Sequence, residues 1–362
     1  MSLIPPTMNA ILLTGHGGFE CLAYRSDVPT PTPGADEVLV RVGAAGVNNT
    51  DINMRAGWYS KSATGSSADA AEGDAPQTAA SDSGWTGASV AFPLIQGADA
   101  CGRIVSTGSD VAAARRGERV LVDPVLRSRS TAHGTQTLYL GSDCDGAFAD
   151  YVCVPAVNAY PIDSPLSDAE LASFPCSYTA AENMLTRAGV RGGETVLVTG
   201  ASGGVGSAAV QLAKRRGARI IAIAAASKAA QVARLGASQV LPRDADLVAA
   251  LGEESVDAVI DVVGGEQFPG LLEVLRRGSR YAVAGAIAGP LVTLDLRTLY
   301  LKDLRLLGCT IAEPEIFAAL VRYIERAEIG PVVARTYKLR DIAEAQRDFL
   351  AKHHSGKLVL LP

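Results

Sequence analysis

The chain has 362 residues, 48% of them hydrophobic and 37 of them glycine, with 33 Lys plus Arg against 38 Asp plus Glu for a net charge of -5. That length predicts two domains, the composition suits a packed α/β protein and excludes a disordered one, and the mild negative charge offers no general attraction to nucleic acid or anionic membrane. No apolar run approaches a membrane span, Met1–Pro6 lacks the features of a signal peptide, and six cysteines without C-x-x-C or framework spacing predict a cytoplasmic protein with free thiols.

From Met8 to about Val154 the signals are mostly β. Ala10–Leu13, Glu37–Val42, Gly102–Val105 and Arg119–Val122 read as short strands punctuated by Pro and Gly. Residues 61–90 break that rhythm, being Ala, Ser, Gly, Thr and Asp with almost no apolar side chain except Trp85. So long a connection is a lid or binding loop over a pocket, or a plain surface insertion. Leu171–Ala188 has helix composition.

The stretch from Thr195 to Arg243 is the most informative. Val196-Leu197-Val198 reads as a buried strand, Thr199–Gly206 as a glycine-dense turn, Val210, Leu212 and Ala213 as part of a helix ended by Gly217, and Arg219–Ile223 as a second strand. Strand, glycine turn, helix, strand is the unit that binds a dinucleotide, with small residues admitting the pyrophosphate to free N–H groups at the helix start. Ala201, Ser202, Gly203, Gly204 and Val205 are therefore assigned to the cofactor, although Ala201 stands where G-x-G-x-x-G has its first glycine.

An NAD-type unit places an acid at the end of the second strand, yet no Asp or Glu occurs from Thr195 through Arg243. Ser227 and Lys228 follow that strand, with Arg219, Arg234 and Arg243 near in sequence. A hydroxyl and cations without a carboxylate suit a ribose 2′-phosphate, so NADPH is the expected cofactor. The plain alternative makes Lys228 a solvated residue of the next helix. Ala258–Gly265 and Tyr281–Gly285 are β-type runs ending in small residues. Ligands of a doubly wound sheet lie at the carboxyl ends of its strands, so Val262 and Gly264, then Ala284 and Gly285 nearer the nicotinamide, are expected to line the dinucleotide. Glu315–Ala327 and Asp341–Lys352 read as amphipathic helices around a strand at Pro331–Arg335.

Several ordered motifs carry a resemblance. The run Gly46-Val47-Asn48-Asn49-Thr50-Asp51 through Trp58-Tyr59, then Phe92-Pro93-Leu94-Ile95-Gln96-Gly97-Ala98-Asp99, Asp145-Gly146-Ala147-Phe148, the nucleotide unit and the closing Ser355-Gly356-Lys357-Leu358 resemble the medium-chain dehydrogenase/reductase superfamily. The likeness covers nearly the whole chain apart from 61–90. It implies a doubly wound parallel-sheet nucleotide-binding domain over 161–309 and a β-rich GroES-like catalytic domain over 1–160 and 310–362, with a cleft having Asn48 on one side and Gly204 on the other. It also implies that Thr179 faces the cofactor and that Leu304–Ile311 pairs sheets across a homodimer.

Zinc-dependent alcohol dehydrogenases of this superfamily draw a thiolate, an imidazole and a second thiolate from these motifs. Here the first two positions hold Asn48 and Ala98, and only Cys176 remains. One thiolate cannot hold a zinc that takes three protein ligands and a water. The cysteines of the usual structural zinc lobe are also missing between Asp123 and Gly141. No metal is expected, the alternative being a rebuilt site of Asp99, Cys101 and Cys176. The chain thus resembles the zinc-free quinone oxidoreductase branch, where asparagine also occupies the position of Asn48.

Without a Lewis acid, reduction of an electron-poor quinone or α,β-unsaturated carbonyl is easier than alcohol oxidation, because the enolate-like oxygen needs only hydrogen-bond donors. Asn48 and Tyr59 are the expected donors, with Thr50 and Asp51 in support. Each has a structural alternative: Asn48 ties down a turn, Tyr59 packs as a half-buried aromatic, and Asp51 pairs with Arg55 four residues on. The function expected is an NADPH-dependent quinone or enone reductase. The alternatives are an alcohol dehydrogenase of the same fold and an NADPH-binding protein without turnover.

Overall fold

The computed structural model describes residues 3–72, 82–87, 89–131 and 134–362. They form two compact units: Met1–Ala63, Ala68–Cys176 and Pro331–Pro362 make one, Thr64–Ser67 and Ser177–Gly330 the other. The units part at 176/177 and 330/331, so the helix Pro314–Glu325, expected in the first domain, belongs to the second. Its buried stripe of Ile316, Phe317, Leu320, Val321 and Ile324 packs there.

The first unit is built around the strand Glu37–Gly46, whose residues are buried on both faces except Arg41 and Gly43. It pairs antiparallel with Cys101–Thr107, Tyr151–Pro155 and Lys357–Leu361, and the sheet continues through Arg119–Val122 to Ala159–Pro161 on one side and to Val333–Lys338 on the other. A three-stranded sheet of Leu22–Pro29, Thr7–Leu13 and Leu94–Ile95 lies beside it. Ile11, Val38, Val40, Ile52, Ile104, Phe148 and Leu360 share one core.

The last strand matters most for the site. Its register sets Val359 opposite Gly46 and Leu360 opposite Ala45, and Val47 N–H donates to the Leu358 carbonyl at 2.9 Å. One residue further back, Lys357 therefore arrives beside Asn48.

The second unit holds a six-stranded parallel sheet in the order Gln239–Leu241, Arg219–Ile223, Thr195–Val198, Val256–Asp261, Leu275–Val283, Arg305–Gly308. Val196, Leu197 and Val198 are fully buried, the unbroken apolar run of a strand covered on both faces. The doubly wound architecture expected from the sequence is present.

Two expectations need adjusting. Leu171–Ala188 is not one helix: Asp168–Leu171 forms a turn closed by a Ser167–Glu170 capping box, and a second helix starts at Pro175, which lacks the N–H a continuous helix needs. Within 61–90 the structure shows a short helix at Ser67–Glu72 and a seated segment at 82–87, while 73–81 and 88 lie outside the described residues.

Candidate active site

In the first unit, the helix Asn49–Ala56 starts at Asn48, whose backbone N–H donates to Asp51 Oδ2 at 2.7 Å. The carboxylate at the third helical position thus satisfies a donor at the helix start. The Asn48 side chain is used elsewhere. Its Nδ2 donates to Asp99 Oδ2 at 2.8 Å and to the Gly46 carbonyl at 3.3 Å, and its Oδ1 accepts from Lys357 Nζ at 2.6 Å. Lys357 Nζ also meets Asp99 Oδ2 at 2.7 Å, with side-chain exposures of 4% and 0%. Asp99 Oδ1 accepts the Cys176 backbone N–H at 2.6 Å. A methyl group at Gly46 would collide with Asp99 Oδ2, the Ala172 carbonyl and Lys357 Cε, so glycine is what lets this pair sit against the strand.

Around the ion pair the other groups are pushed toward their protonated forms. Asp51 is pushed up to about 7, chiefly by burial and further by the Asp99 charge, against the Asn48 and Gly97 hydrogen bonds and Lys357. Burial lifts the half-buried Tyr59 phenol to about 12, while Thr50 and Asn53 pull the other way. Asn53 Oδ1 also accepts from Asn49 Nδ2 at 3.1 Å. Cys176 is lifted to about 12 by burial and then by Asp99, and its Sγ accepts from the Tyr139 hydroxyl at 3.1 Å.

The structure therefore brings Asn48, Thr50, Asp51 and Tyr59 into one constellation and adds four residues the sequence reading did not assign to it: Asp99 and Lys357 as an ion pair, Tyr139, and Trp85 stacked on Tyr139. Lys357 was in view within the closing motif, but its partner lies 258 residues away. Both Asn48 side-chain N–H groups are spent within the constellation. The alternative pairing of Asp51 with Arg55 does not occur. The buried Arg55 turns to Gln346 Oε1 at 2.8 Å and the Gly17 carbonyl at 2.7 Å.

These residues do not fit a zinc. Asn48 and Ala98 offer neither thiolate nor imidazole, and Lys357 Nζ sits between Asn48 Oδ1 and Asp99 Oδ2. Cys101, the third member of the rebuilt set, points its thiol at Asp168 Oδ1, 3.6 Å away. Among the described residues no group of three or more His, Cys, Asp or Glu is placed to hold a metal ion.

In the second unit, the assigned cofactor residues gather at the carboxyl edge of the parallel sheet. Ala201, Ser202 and Gly203 form the turn before the helix Gly204–Arg215, which includes Val205. Ser227 and Lys228 lie in the turn Ala226–Lys228 after Arg219–Ile223. Val262 and Gly264 follow Val256–Asp261, and Ala284 and Gly285 follow Leu275–Val283. A methyl group on Gly206 would strike the Gly200 carbonyl and Ala201 Cα, the close approach of helix to strand that the fingerprint's last glycine permits. Thr179 Oγ1 is buried without a hydrogen-bond partner, an orphan that a dinucleotide would satisfy. Lys228 is buried rather than solvated, and its pKa falls because of burial and the nearby Arg243.

A network missed in the sequence sets this edge. The fully buried Asp261 carboxylate accepts the hydroxyls of Thr199 and Tyr281 and the N–H groups of Val263 (2.8 Å) and Gly264 (3.2 Å). It ties three adjacent strand ends together, and the four donors offset the burial of an unpaired carboxylate.

Residues 34–164 match the family model described as alcohol dehydrogenase GroES-like domain, and residues 204–326 the one described as zinc-binding dehydrogenase. The chain is 28% identical over 370 residues to the quinone oxidoreductase of Mus musculus, covering 98% of each. It is 28% identical over 364 residues to the acryloyl-coenzyme A reductase of Metallosphaera sedula, covering 98% of this chain and 99% of that one. A Sinorhizobium meliloti 1021 crystal structure that carries an alcohol dehydrogenase designation is 46% identical, with a TM-score of 0.87 over 99% of this chain and 98% of that one. A GroES-like region ahead of a parallel-sheet dinucleotide fold, matched end to end by such relatives, makes this chain an oxidoreductase of the medium-chain dehydrogenase/reductase superfamily, whose members use nicotinamide cofactors.

Proposed function

We propose that the chain is an NADPH-dependent reductase of quinones or α,β-unsaturated carbonyls that works without zinc. The observation that carries this reading is that Asn48, at the position of the first expected metal ligand, spends its side chain on Lys357 and Asp99. With Ala98 at the second position only Cys176 remains to meet a Lewis acid, and alcohol oxidation loses the group that would stabilise an alkoxide. Quinone oxidoreductase and acryloyl-coenzyme A reductase among the relatives support the substrate class.

Bound NADPH supplies the hydride. As a C–H bond forms at the β-carbon, the electron pair moves to the carbonyl oxygen. The Tyr59 hydroxyl, still protonated at neutral pH and held by Thr50 and Asn53, donates to that oxygen as charge builds on it. A proton from water completes the saturated product. After the second strand, Lys228 and Arg243 lie close enough for one charge to act on the other, a cationic environment that suits a 2′-phosphate. The same fold run as an alcohol dehydrogenase is the second reading, favoured by the designation of the Sinorhizobium meliloti relative.

NADPH oxidation against ortho-quinones, para-quinones and short enones is expected to proceed in the presence of metal chelator, with NADPH well above NADH. Lys228→Ala and Arg243→Ala should each raise the KM for NADPH about 10- to 100-fold and leave that for NADH nearly unchanged. Chelator-sensitive alcohol oxidation in place of this activity would decide for the second reading. Tyr59→Phe is expected to lower kcat about 10²- to 10³-fold with little change in KM, read from the same assay. An equal loss in both would show a packing role instead.

Asp51 gives a pH signature. Its folded pKa near 7 lies above the unfolded 3.8, so the folded protein binds the extra proton between those values and loses stability as pH rises through them. Thermal melts of Asp51→Asn should therefore gain on wild type from pH 5 to pH 8, by about 5 °C or more, and stay parallel above that. A pH-independent difference would contradict the shift.

The homodimer belongs to this proposal as well. The edge strand Arg305–Gly308 and its surroundings expose Leu296, Tyr300, Leu301, Leu306 and Ile311, an apolar set that a second copy would cover. Sedimentation should give twice the chain mass, and Leu306→Lys should shift it to the monomer.

A further inference from the structure

The insertion that interrupts the first unit does not stand apart from the site. Trp85 stacks on Tyr139, with ring centroids 4.4 Å apart and planes at 29°. Together with Ala98, Val125 and Cys176 the two rings form a small apolar cluster of their own. Anchors on both sides fix the indole in place. Ser83 Oγ bonds His16 Nε2 at 2.8 Å, and His16 Nδ1 bonds the Met54 carbonyl, also at 2.8 Å, on the helix that carries Thr50 and Asp51. On the other side Thr86 Oγ1 donates to Asp143 Oδ1 at 2.9 Å, while Asp143 Oδ2 accepts the Tyr139 N–H at 2.8 Å. One carboxylate thus clamps both members of the stacked pair.

The pair reaches the constellation described above. The Tyr139 hydroxyl donates to Cys176 Sγ, the Cys176 N–H donates to Asp99, and Tyr139 is near enough to Tyr59 that charge on one opposes ionisation of the other. Tyr139 is buried, whereas Trp85 remains half-exposed at the outer end of the stack. A flat indole packed with Ala98 and Cys176, two of the positions where the resemblance expects metal ligands, favours a flat acceptor. Aromatic faces attract conjugated planar groups beyond the area they bury, and they do not gain the same from a flexible chain.

We infer that Trp85 is a specificity-determining residue, forming with Tyr139 an aromatic wall that selects planar, aryl-conjugated enones or quinones over short acyclic enones. The inference rests on the reductase reading for its substrate class. It assigns a role in acceptor choice to a segment whose composition left a binding loop and a plain surface insertion both open.

The test compares 4-phenylbut-3-en-2-one with but-3-en-2-one. Trp85→Ala should lower kcat/KM for the aryl enone about tenfold, hold the short enone within about twofold and leave the KM for NADPH unchanged. Trp85→Phe should restore most of the loss. An equal fall for both acceptors, or no change in their ratio, overturns the inference. A binding readout separates it from the reductase reading. The chain has 2 tryptophans, so in Trp58→Phe protein, excited on the red edge where tyrosine does not absorb, Trp85 is the sole tryptophan emitter. Its fluorescence should be quenched saturably by the aryl enone and far less by the short one. Such quenching in a protein that reduces neither compound would retain the wall and discard the reductase, and turnover without selective quenching would do the reverse.

Discussion

Much of the first unit depends on one buried ion pair. Lys357 and Asp99 lie at 4% and 0% side-chain exposure, a depth at which an unpaired charge would cost several kcal/mol. They are tolerated because the polar atoms near them are used. Asp99 accepts from Lys357, from Asn48 and from the Cys176 backbone, and the ammonium has Asn48 Oδ1 as a second acceptor. The pair joins the last strand to the segment that enters Cys101–Thr107 and, through Asn48, to the turn after the central strand. It accounts for glycine at position 46, and it fixes the residue from which the helix Asn49–Ala56 starts.

The protonation pattern of the site follows from that arrangement. Asp51, Tyr59, Tyr139 and Cys176 all move toward their protonated forms, each with burial as the largest cause; the Asp99 charge adds to it at Asp51, Tyr139 and Cys176, and Lys357 opposes it at Asp51 and Cys176. Donors held around a fixed ion pair stabilise charge that appears on a substrate. A thiolate–imidazole metal site needs ligands that give up their protons as the metal binds. The exchange of cysteine for Asn48 and of histidine for Ala98 is therefore a change in the electrostatic design of the pocket and not only a loss of ligands.

What could be read from the chain follows a physical division. Arg119–Val122 and Arg219–Ile223 appear as strands with the bounds their β-branched runs suggested, and the turn at 199–206 leads into its helix as the glycines required. Leu22–Pro29 escaped notice because most of its side chains are exposed, so no apolar alternation marks it. In the site, Asn48, Thr50 and Asp51 were legible because a local helix start brings them together. Lys357 and Asp99 were not, since their meeting is set by the register of Lys357–Leu361 against Glu37–Gly46, and register is decided by packing over the whole sheet. The Asp261 network was hidden for the same reason. Its hydroxyl donors, Thr199 and Tyr281, sit on strands flanking that of Asp261.

Residues 61–90 show where composition alone misleads. Small polar residues predict a segment with too little apolar surface to order itself. That argument treats the segment as self-sufficient. Trp85 is the exception within it, and it finds its partner outside, in Tyr139, while Ser83 and Thr86 find theirs in His16 and Asp143. The segment 82–87, pinned by one aromatic stack and two side-chain hydrogen bonds, needs no core of its own: it borrows the rigidity of the unit it lies on.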